Sequence, residues 1–596
     1  MKKFVSFILV LYIVVVSTLS AKNKAIFVSP VNESKFNNEK CTILIRFEDR
    51  ISPALLNKIN LLTVQGTVSG KHSGVLKLLQ DNMLLSFTTN EAYALGEKVT
   101  VSLSSVLNTD VEQFSFFIRK RVVEEVFDSF KNEFDGIREW LTGEIIPLAD
   151  SLPPDFPRIT ITVNSNPSPG RFFLSNFKMV GSYAPYLIIL NNDGNPFFYR
   201  KMVNNCYDFK VQPNGKLTYA DYNKHKFYML DTNYVLIDSF ACVNGYTTDE
   251  HDLQILPNGH IFLMSYDPQI VDMSQIVPGG DTAATVIGLV LQELDADRNL
   301  VFQWRSWDHF EITDATHEDL TAKQIDYVHG NAIEIDNDGN IVISSRHLDE
   351  ITKIHRISGN IIWRWGGKNN QFVFTNDTIG FSHQHAIRRI ANGNFTLFDN
   401  GNYHTPKFSR AIEYAVNEQA KTATLVWEYR HLPSSIYSSA MGNTQRLANG
   451  NTIVSWGVNN SSAVVLTEVK PDNTKVYEFT FPVALYNYRG FKFDWKPGTV
   501  TSLTENKIPL KFSLKQNYPN PFNPVTTIEF DIPVKTFVKL KVFDILGREV
   551  QILVDKEMEA NSYKVEWNAS NLSSGIYLYV LEAGEFRQVR TMALIK

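Results

Sequence analysis

Along residues 22–120 apolar and polar positions alternate in short runs: AIFVSP, CTILIRF, NLLTVQG, MLLSFTT, EKVTVSL and QFSFFIR, with turn residues between them. A period of two puts successive side chains on opposite faces of a strand. Short strands at this spacing predict a β-sandwich over 22–120. The period then changes. Val122, Val126, Phe130, Phe134, Ile137 and Leu141 recur every three or four residues, which predicts one amphipathic helix as a connector over 121–154.

From 155 to 497 the alternation becomes an internal repeat. One unit is strand, tight turn, strand: YDFKVQPNGKLTYAD, HDLQILPNGHIFLMSYD, NAIEIDNDGNIVISSR, HAIRRIANGNFTLFDN and GNTQRLANGNTIVSWG. Each turn carries Asn-Gly or Asp-Gly, which suits a two-residue hairpin that needs positive φ. A second unit alternates with it, as in ELDADRNLVFQWRSW and RISGNIIWRWGG. The second unit recurs six times, and RFFLSNFKMV is a weak sixth copy of the first. Two hairpins make a four-stranded blade, so the expectation is a six-bladed β-propeller. Residues 498–510 are a linker. The segment 511–596 has its own strand pattern and forms a further module. The fold class expected is all-β: a propeller between an N-terminal and a C-terminal β-sandwich.

The repeat also aligns candidate chemistry. Twelve of the thirteen histidines lie between His225 and His431. Eight residues before each turn glycine stand Tyr207, His251, Asn331, His385 and Gly442. In a propeller these strand starts ring one mouth of the channel, and His329 precedes Asn331 by two. Seven residues after each glycine stand Tyr222, Tyr266, Arg346, Asn400 and Gly457, returning to the same face. Each of these also has an ordinary structural reading, as a strand cap or a blade salt bridge. His309, His347, His355 and His383 lack this placement and read as supporting residues. A mouth rich in imidazole, with one guanidinium and few acids, suits a tetrahedral anion such as sulfate or phosphate. Histidine can also serve there as a covalent nucleophile. No glycine-rich phosphate loop and no carboxylate pair appears, so nucleotide use and retaining glycosidase chemistry are not expected. No cofactor and no metal are called for. Two other readings remain open: a metal-dependent propeller lyase, and a non-catalytic secreted propeller that binds a glycan or a protein.

Composition alters this picture at two points. Net charge is −5 with both signs interspersed, which offers no footprint for nucleic acid. The first residues hold two lysines, an apolar run from Phe4 to Val16, and small residues to Ala21. That is the pattern of a secretory signal peptide, residues 1–21. Export permits disulfides; with Cys41, Cys206 and Cys242 the count is odd, and Cys206–Cys242 is the candidate pair.

Two resemblances follow from these stretches. YPNPFNP, FDILGREV and SSGIYLY resemble the type A sorting domain of the type IX secretion system. This implies export across the outer membrane of a Bacteroidetes-type bacterium, and the secretion machinery as a partner. EHDLQILPNGHIFLMSYD, DYVHGNAIEIDNDGNIVISSRHLDEITKI, SGNIIWRWGG and FSHQHAIRRIANGNFTLFDNGN resemble the bacterial arylsulfotransferases. That resemblance implies sulfuryl transfer from an aryl sulfate donor to a phenolic acceptor by a ping-pong route, without a nucleotide sulfate donor. It makes His385 the nucleophile, with His251, His329, Asn331 and Arg346 in support. Asn400 and Tyr207 are further expected substrate contacts. The family is best known from periplasmic enzymes, and the sorting tail departs from that. A homodimer remains open. Mature protein is expected to start near residue 21 and to lose the segment after about residue 505 on export; intact mass from the native host checks both ends.

Overall fold

The computed structural model describes residues 22–56, 61–123, 152–178, 183–459, 462–483, 485–496, 512–532, 536–558, 561–584 and 586–595. The signal peptide, the linker and nearly all of the expected connector helix lie outside the described residues. The chain divides into two compact units, Met1–Lys496 and Pro497–Lys596. Among the described residues the regular structure is strand, with only single-turn 3-10 helices between strands. The all-β class expected from the alternation holds.

The first unit opens with two four-stranded sheets. One orders Ala25–Ser29, Ile43–Phe47, Leu84–Thr89 and Gly74–Leu79; the other orders Gly70–His72, Leu62–Gly66, Lys98–Leu103 and Gln113–Phe117. Ile43, Ile45, Phe47, Val64, Val99, Val101, Phe114 and Phe116 form their common core. Phe27 and Leu44 instead join a core with Leu263, Leu291 and Trp304 of the following segment. Arg305 donates to the carbonyls of Phe36 and Lys35 at 3.0 and 2.8 Å.

Six further sheets follow in chain order, each built on four consecutive antiparallel strands or nearly so. In five of them the innermost strand starts at Cys206, Gln254, Gly330, His385 or Asn443; in the first, that edge is taken by Leu485–Asn487 and Phe491–Phe493, inside Arg171–Lys178. The two ends of this segment interlock. Thr160–Asn164 adds the outermost strand to the last sheet, beside Lys475–Thr480. Leu485–Asn487 and Phe491–Phe493 pair back onto Arg171–Lys178 of the first.

The repeat turns differ from the expected two-residue type. Gly215, Gly259, Gly339, Gly393 and Gly450 have φ between 72 and 90°, while the Asn or Asp before each is not among the positive-φ residues. The first loop is closed by Gln212 N–H to the Lys216 carbonyl at 2.8 Å, which encloses three residues. The reason is a side-chain bond: Asn214, Asn258, Asp338, Asn392 and Asn449 each accept the N–H two residues on, at 2.9–3.1 Å. That bond holds the first two loop residues in an ordinary turn and leaves only glycine left-handed. A second correction concerns sulfur. Cys41, Cys206 and Cys242 are all free thiols. Cys206 points to the Asn204 carbonyl and Cys242 to that of Met264, and burial pushes the Cys242 thiol up to about 12.

Four of the six sheets meet at one buried carboxylate. Asp252, just before Gln254–Ile255, accepts from Lys210 at 2.8 Å, from Arg388 at 2.7 Å and from the Ile333 N–H at 3.0 Å. Arg489 lies 3.5 Å away and also binds Asp208 at 3.0 Å. Burial alone would raise the Asp252 carboxyl, but Arg388, Lys210 and Arg489 outweigh it and hold it far below the usual range. Replacing Asp252 by alanine leaves buried cations short of a partner and is expected to cost about 3–5 kcal/mol. Because the folded-state pKa is depressed, this contribution is full at neutral pH. It fades as pH falls below about 3.9, the ordinary carboxylate value. Thermal unfolding of wild type and Asp252→Ala should therefore differ most near neutrality and converge in acid.

Candidate active site

The site is assembled at the starts of the innermost strands and in the segments just before them. His385 begins the strand His385–Arg389, whose pairing with Phe395–Asp399 shifts register between His385 and Arg388. Ala386, inside that bulge, has φ 57°. A bulge of this kind re-aims the side chain beside it. The strands that begin at Cys206 and Gly330 carry register shifts in their first residues too. His329, Asp349, His383 and Met441 also have positive φ. Such strain persists where the surroundings over-determine it, and it concentrates at functional sites.

His385 is buried, 1% exposed. Its Nδ1 lies 2.7 Å from the Asn400 side-chain oxygen and 3.1 Å from the His383 carbonyl. Both partners are acceptors, since the Asn400 amide group donates to the carbonyls of Ser438 and Met441 at 2.9 and 3.0 Å. The proton is therefore assigned to Nδ1, and Nε2 keeps its lone pair. The Met441 N–H approaches Nε2 at 3.2 Å. Burial first, and then the charge of Arg346, hold His385 well below the usual histidine range; His251 and His329 add to the effect.

His251 and His329 stand edge to face with centroids 5.3 Å apart. Each ring is fixed by its own carboxylate. His251 Nδ1 lies 2.8 and 2.9 Å from the two oxygens of Asp249; His329 Nδ1 lies 2.6 Å from Asp326. Their protonation diverges. Burial disfavours the cation at both, but Asp249 outweighs it at His251 and raises that pKa. At His329 burial is reinforced by His251 and Arg346, and the pKa falls well below the usual value. The short bond to Asp326 argues the other way. It is outweighed, because a second imidazolium would face both His251 and a guanidinium.

Arg346 has no carboxylate within ion-pair distance among the described residues. It donates to His347 Nε2 at 2.5 Å and to the Ser439 carbonyl at 3.2 Å, and its buried Nε has no partner. A half-buried guanidinium this short of acceptors among the described residues is suited to an incoming anion.

Of the residues expected from the sequence, His251, His329, His385 and Arg346 come together. Asn400 orients His385. Asn331 does not present its donor to open space: it donates to the Gln384 carbonyl at 2.8 Å and braces the segment that carries His385. Tyr207 stands one ring further out. It packs on Tyr488 at 5.3 Å, and the Tyr488 hydroxyl donates to the His251 carbonyl at 3.1 Å. Tyr266 donates to the Gly330 carbonyl at 3.0 Å. His309 stacks on Trp304 and His355 bonds Ser358, both in structural settings. His347 and His383 were read as supporting residues, yet both join the ring cluster: His329–His347 is 4.6 Å and His347–His383 is 5.4 Å. The carboxylates Asp249 and Asp326 escaped the sequence reading. Their signal was present two and three residues before the histidines, in DEHD and DYVH. Asp326, His329 and His347 bring possible metal-ligand atoms within 4.8 Å of one another. His329 Nδ1 bonds Asp326 within that group, and His347 Nε2 accepts from Arg346.

The class defined is an all-β protein in which histidines and one arginine without an ion pair among the described residues cluster at strand starts. The model of the arylsulfotransferase (ASST) family matches residues 159–489, over half of the sequence, and the chain belongs to that family. The secretion system C-terminal sorting domain matches residues 516–595. This makes the type IX machinery the export partner, and the protein is exported to the cell surface or secreted. No curated protein matches the chain. Among solved structures it is similar to a Bacteroides caccae protein of unknown function, at 10% identity over 55% of this chain and 99% of that one, TM-score 0.35. It is similar to virginiamycin B lyase from Staphylococcus aureus, at 10% identity over 54% and 88%, TM-score 0.29. It is also similar to PorZ of Porphyromonas gingivalis, a surface component of the type IX system, at 13% identity over 95% and 59%, TM-score 0.23. At such scores none of these bears on activity.

The opposed protonation of the two dyads is open to direct measurement. Side-chain NMR titration is expected to show His251 titrating above the usual histidine value and His329 well below it. Asp249→Asn should bring His251 down. A charged His329 at neutral pH would reverse the assignment.

Proposed function

We propose that the six sheets close into a six-bladed propeller and that the protein is an aryl-sulfate sulfotransferase working through a sulfated His385, independent of nucleotide sulfate. The observation that carries this reading is the state of His385. Asn400 holds the proton on Nδ1, so Nε2 keeps its lone pair. Arg346 and His251 supply positive charge close enough to depress His385.

Arg346 binds the sulfonate oxygens of the donor, a phenolic sulfate ester. The His385 Nε2 lone pair forms an N–S bond, releasing the contact with the Met441 N–H, as the S–O bond to the phenol breaks. His251, kept protonated by Asp249, passes its proton to the departing phenolate. The acceptor phenol then loses its proton to His251 and attacks sulfur, and the N–S bond breaks. Transfers of this type depend mostly on positioning and charge stabilisation. The guanidinium of Arg346 is therefore placed where negative charge gathers.

His385→Ala should abolish both half-reactions. Arg346→Ala should lower turnover about 10²–10³-fold while still forming some sulfated enzyme. Incubated with a chromogenic aryl sulfate and no acceptor, wild type should gain the mass of one sulfuryl group on a single acid-labile histidine, discharged by added phenol. Label on another residue, or near-normal turnover by His385→Ala, overturns the assignment.

A further inference from the structure

The residues considered so far account for the sulfuryl group and for proton transfer, but not for the aromatic ring of the substrate. Two segments outside the expected site supply a surface for it. His317 lies between the strands Leu300–Arg305 and Gln324–Asp326; Tyr403 follows the strand Phe395–Asp399. Their rings stack at a centroid distance of 3.4 Å and 13°. Each member is anchored from behind. His317 Nε2 lies 3.0 Å from Asp349, and the Tyr403 N–H donates to the Ser382 hydroxyl at 3.1 Å. Tyr403 is nevertheless 50% exposed, an aromatic face left open beside the histidine cluster.

Directly against Tyr403, edge to face at 5.0 Å, stands His383. It is 3% exposed, and neither ring nitrogen has a hydrogen-bond partner among the described residues. Its own N–H is held by Asp349 at 2.7 Å, and its φ of 52° turns the ring toward His347 and Tyr403. The titratable and charged groups facing it are Arg346, His347, His317 and His329, with Asp349 on its backbone. Buried nitrogens without partners are costly. A ligand oxygen can satisfy one of the two. The flanking groups narrow its chemistry to a flat ring for Tyr403, one hydroxyl or ester oxygen for a neutral imidazole, and an anionic group within reach of Arg346.

We propose that the aryl ring of donor and acceptor packs on the open face of Tyr403, with its phenolic oxygen hydrogen-bonded to His383. This rests on the sulfotransferase reading and adds the subsite that selects a phenol. Tyr403 and His317 form the ring wall, and His383 is the contact that requires an oxygen on that ring.

The full exported chain is titrated calorimetrically with phenol and, separately, with toluene, and assayed with a chromogenic aryl sulfate. An aromatic pair contributes about 0.5–1.5 kcal/mol, so Tyr403→Ala should weaken phenol binding and raise KM about two- to tenfold. kcat should change far less, and Tyr403→Phe should resemble wild type. His383→Phe keeps a ring of similar size and removes both nitrogens. It should erase the wild-type preference for phenol over toluene, which a merely structural role would not do. Circular dichroism confirms that each variant is folded. Unchanged phenol binding and KM in Tyr403→Ala, with wild type turning over aryl sulfate, overturns the subsite and leaves the sulfotransferase reading intact. Tyr403-dependent phenol binding without any turnover supports the subsite and removes that reading. Failure of wild type to bind phenol at all overturns the subsite whatever the turnover.

Discussion

A buried anion shared among sheets is the constraint on which the rest depends. Asp252 gathers Lys210, Arg388, Arg489 and a backbone N–H from strands far apart in sequence. An isolated buried carboxylate would be neutralised; here three cations compensate it, and breaking such a set costs more than making it gains. Arg489 extends the same network to the chemistry. It binds Asp208 at 3.0 Å and the Asn331 carbonyl at 2.7 Å, while the adjacent Tyr488 holds the His251 carbonyl. The segment that returns to pair with the first sheet thus also positions two residues of the site.

The electrostatics of the site divide into two halves. His251 and His329 each own a carboxylate, so their rings are oriented and can exchange protons at a fixed nitrogen. His383 and His385 have no side-chain contact with a carboxylate among the described residues, and His347 has only Glu318 and Asp326 at 3.7 and 3.8 Å; burial together with the guanidinium keeps the three imidazoles neutral. A neutral imidazole beside an unpaired guanidinium offers an anion both a nucleophile and a counter-charge, which is the requirement of sulfuryl transfer. Free carboxylates at the same place would repel the substrate. Three of the acids nearby are occupied: Asp249 and Asp326 by histidines, Asp349 by the His383 N–H and His317; Glu318 faces Arg346 and lies 3.7 Å from His347.

Much of this was legible in the chain because it is repetitive. Alternation with a period of two, and glycine at fixed intervals, determined an all-β protein and aligned His251, Asn331 and His385 at equivalent strand starts. A repeat transfers position from copy to copy, so convergence was readable without coordinates. The tail motif determined export in the same way, since a sorting signal is recognised as sequence. What the repeat left undecided was everything that depends on neighbours from other sheets. The Asx bonds that make the turns three residues long were written in the sequence, yet the two-residue form was equally compatible with Asn-Gly. His383, two residues before His385, looked like a supporting residue. The packing of Tyr403 and His347 around it, and nitrogens without a partner among the described residues, belong to the tertiary structure alone. Asn331 and Asn400 looked like substrate donors, but tertiary contacts spend their amide groups on backbone carbonyls. Local periodicity is set by each residue's own covalent geometry and is therefore carried by the chain alone. Hydrogen-bond partners, burial and the sign of each histidine's pKa shift arise from groups distant in sequence, and those were decided only when the sheets came together.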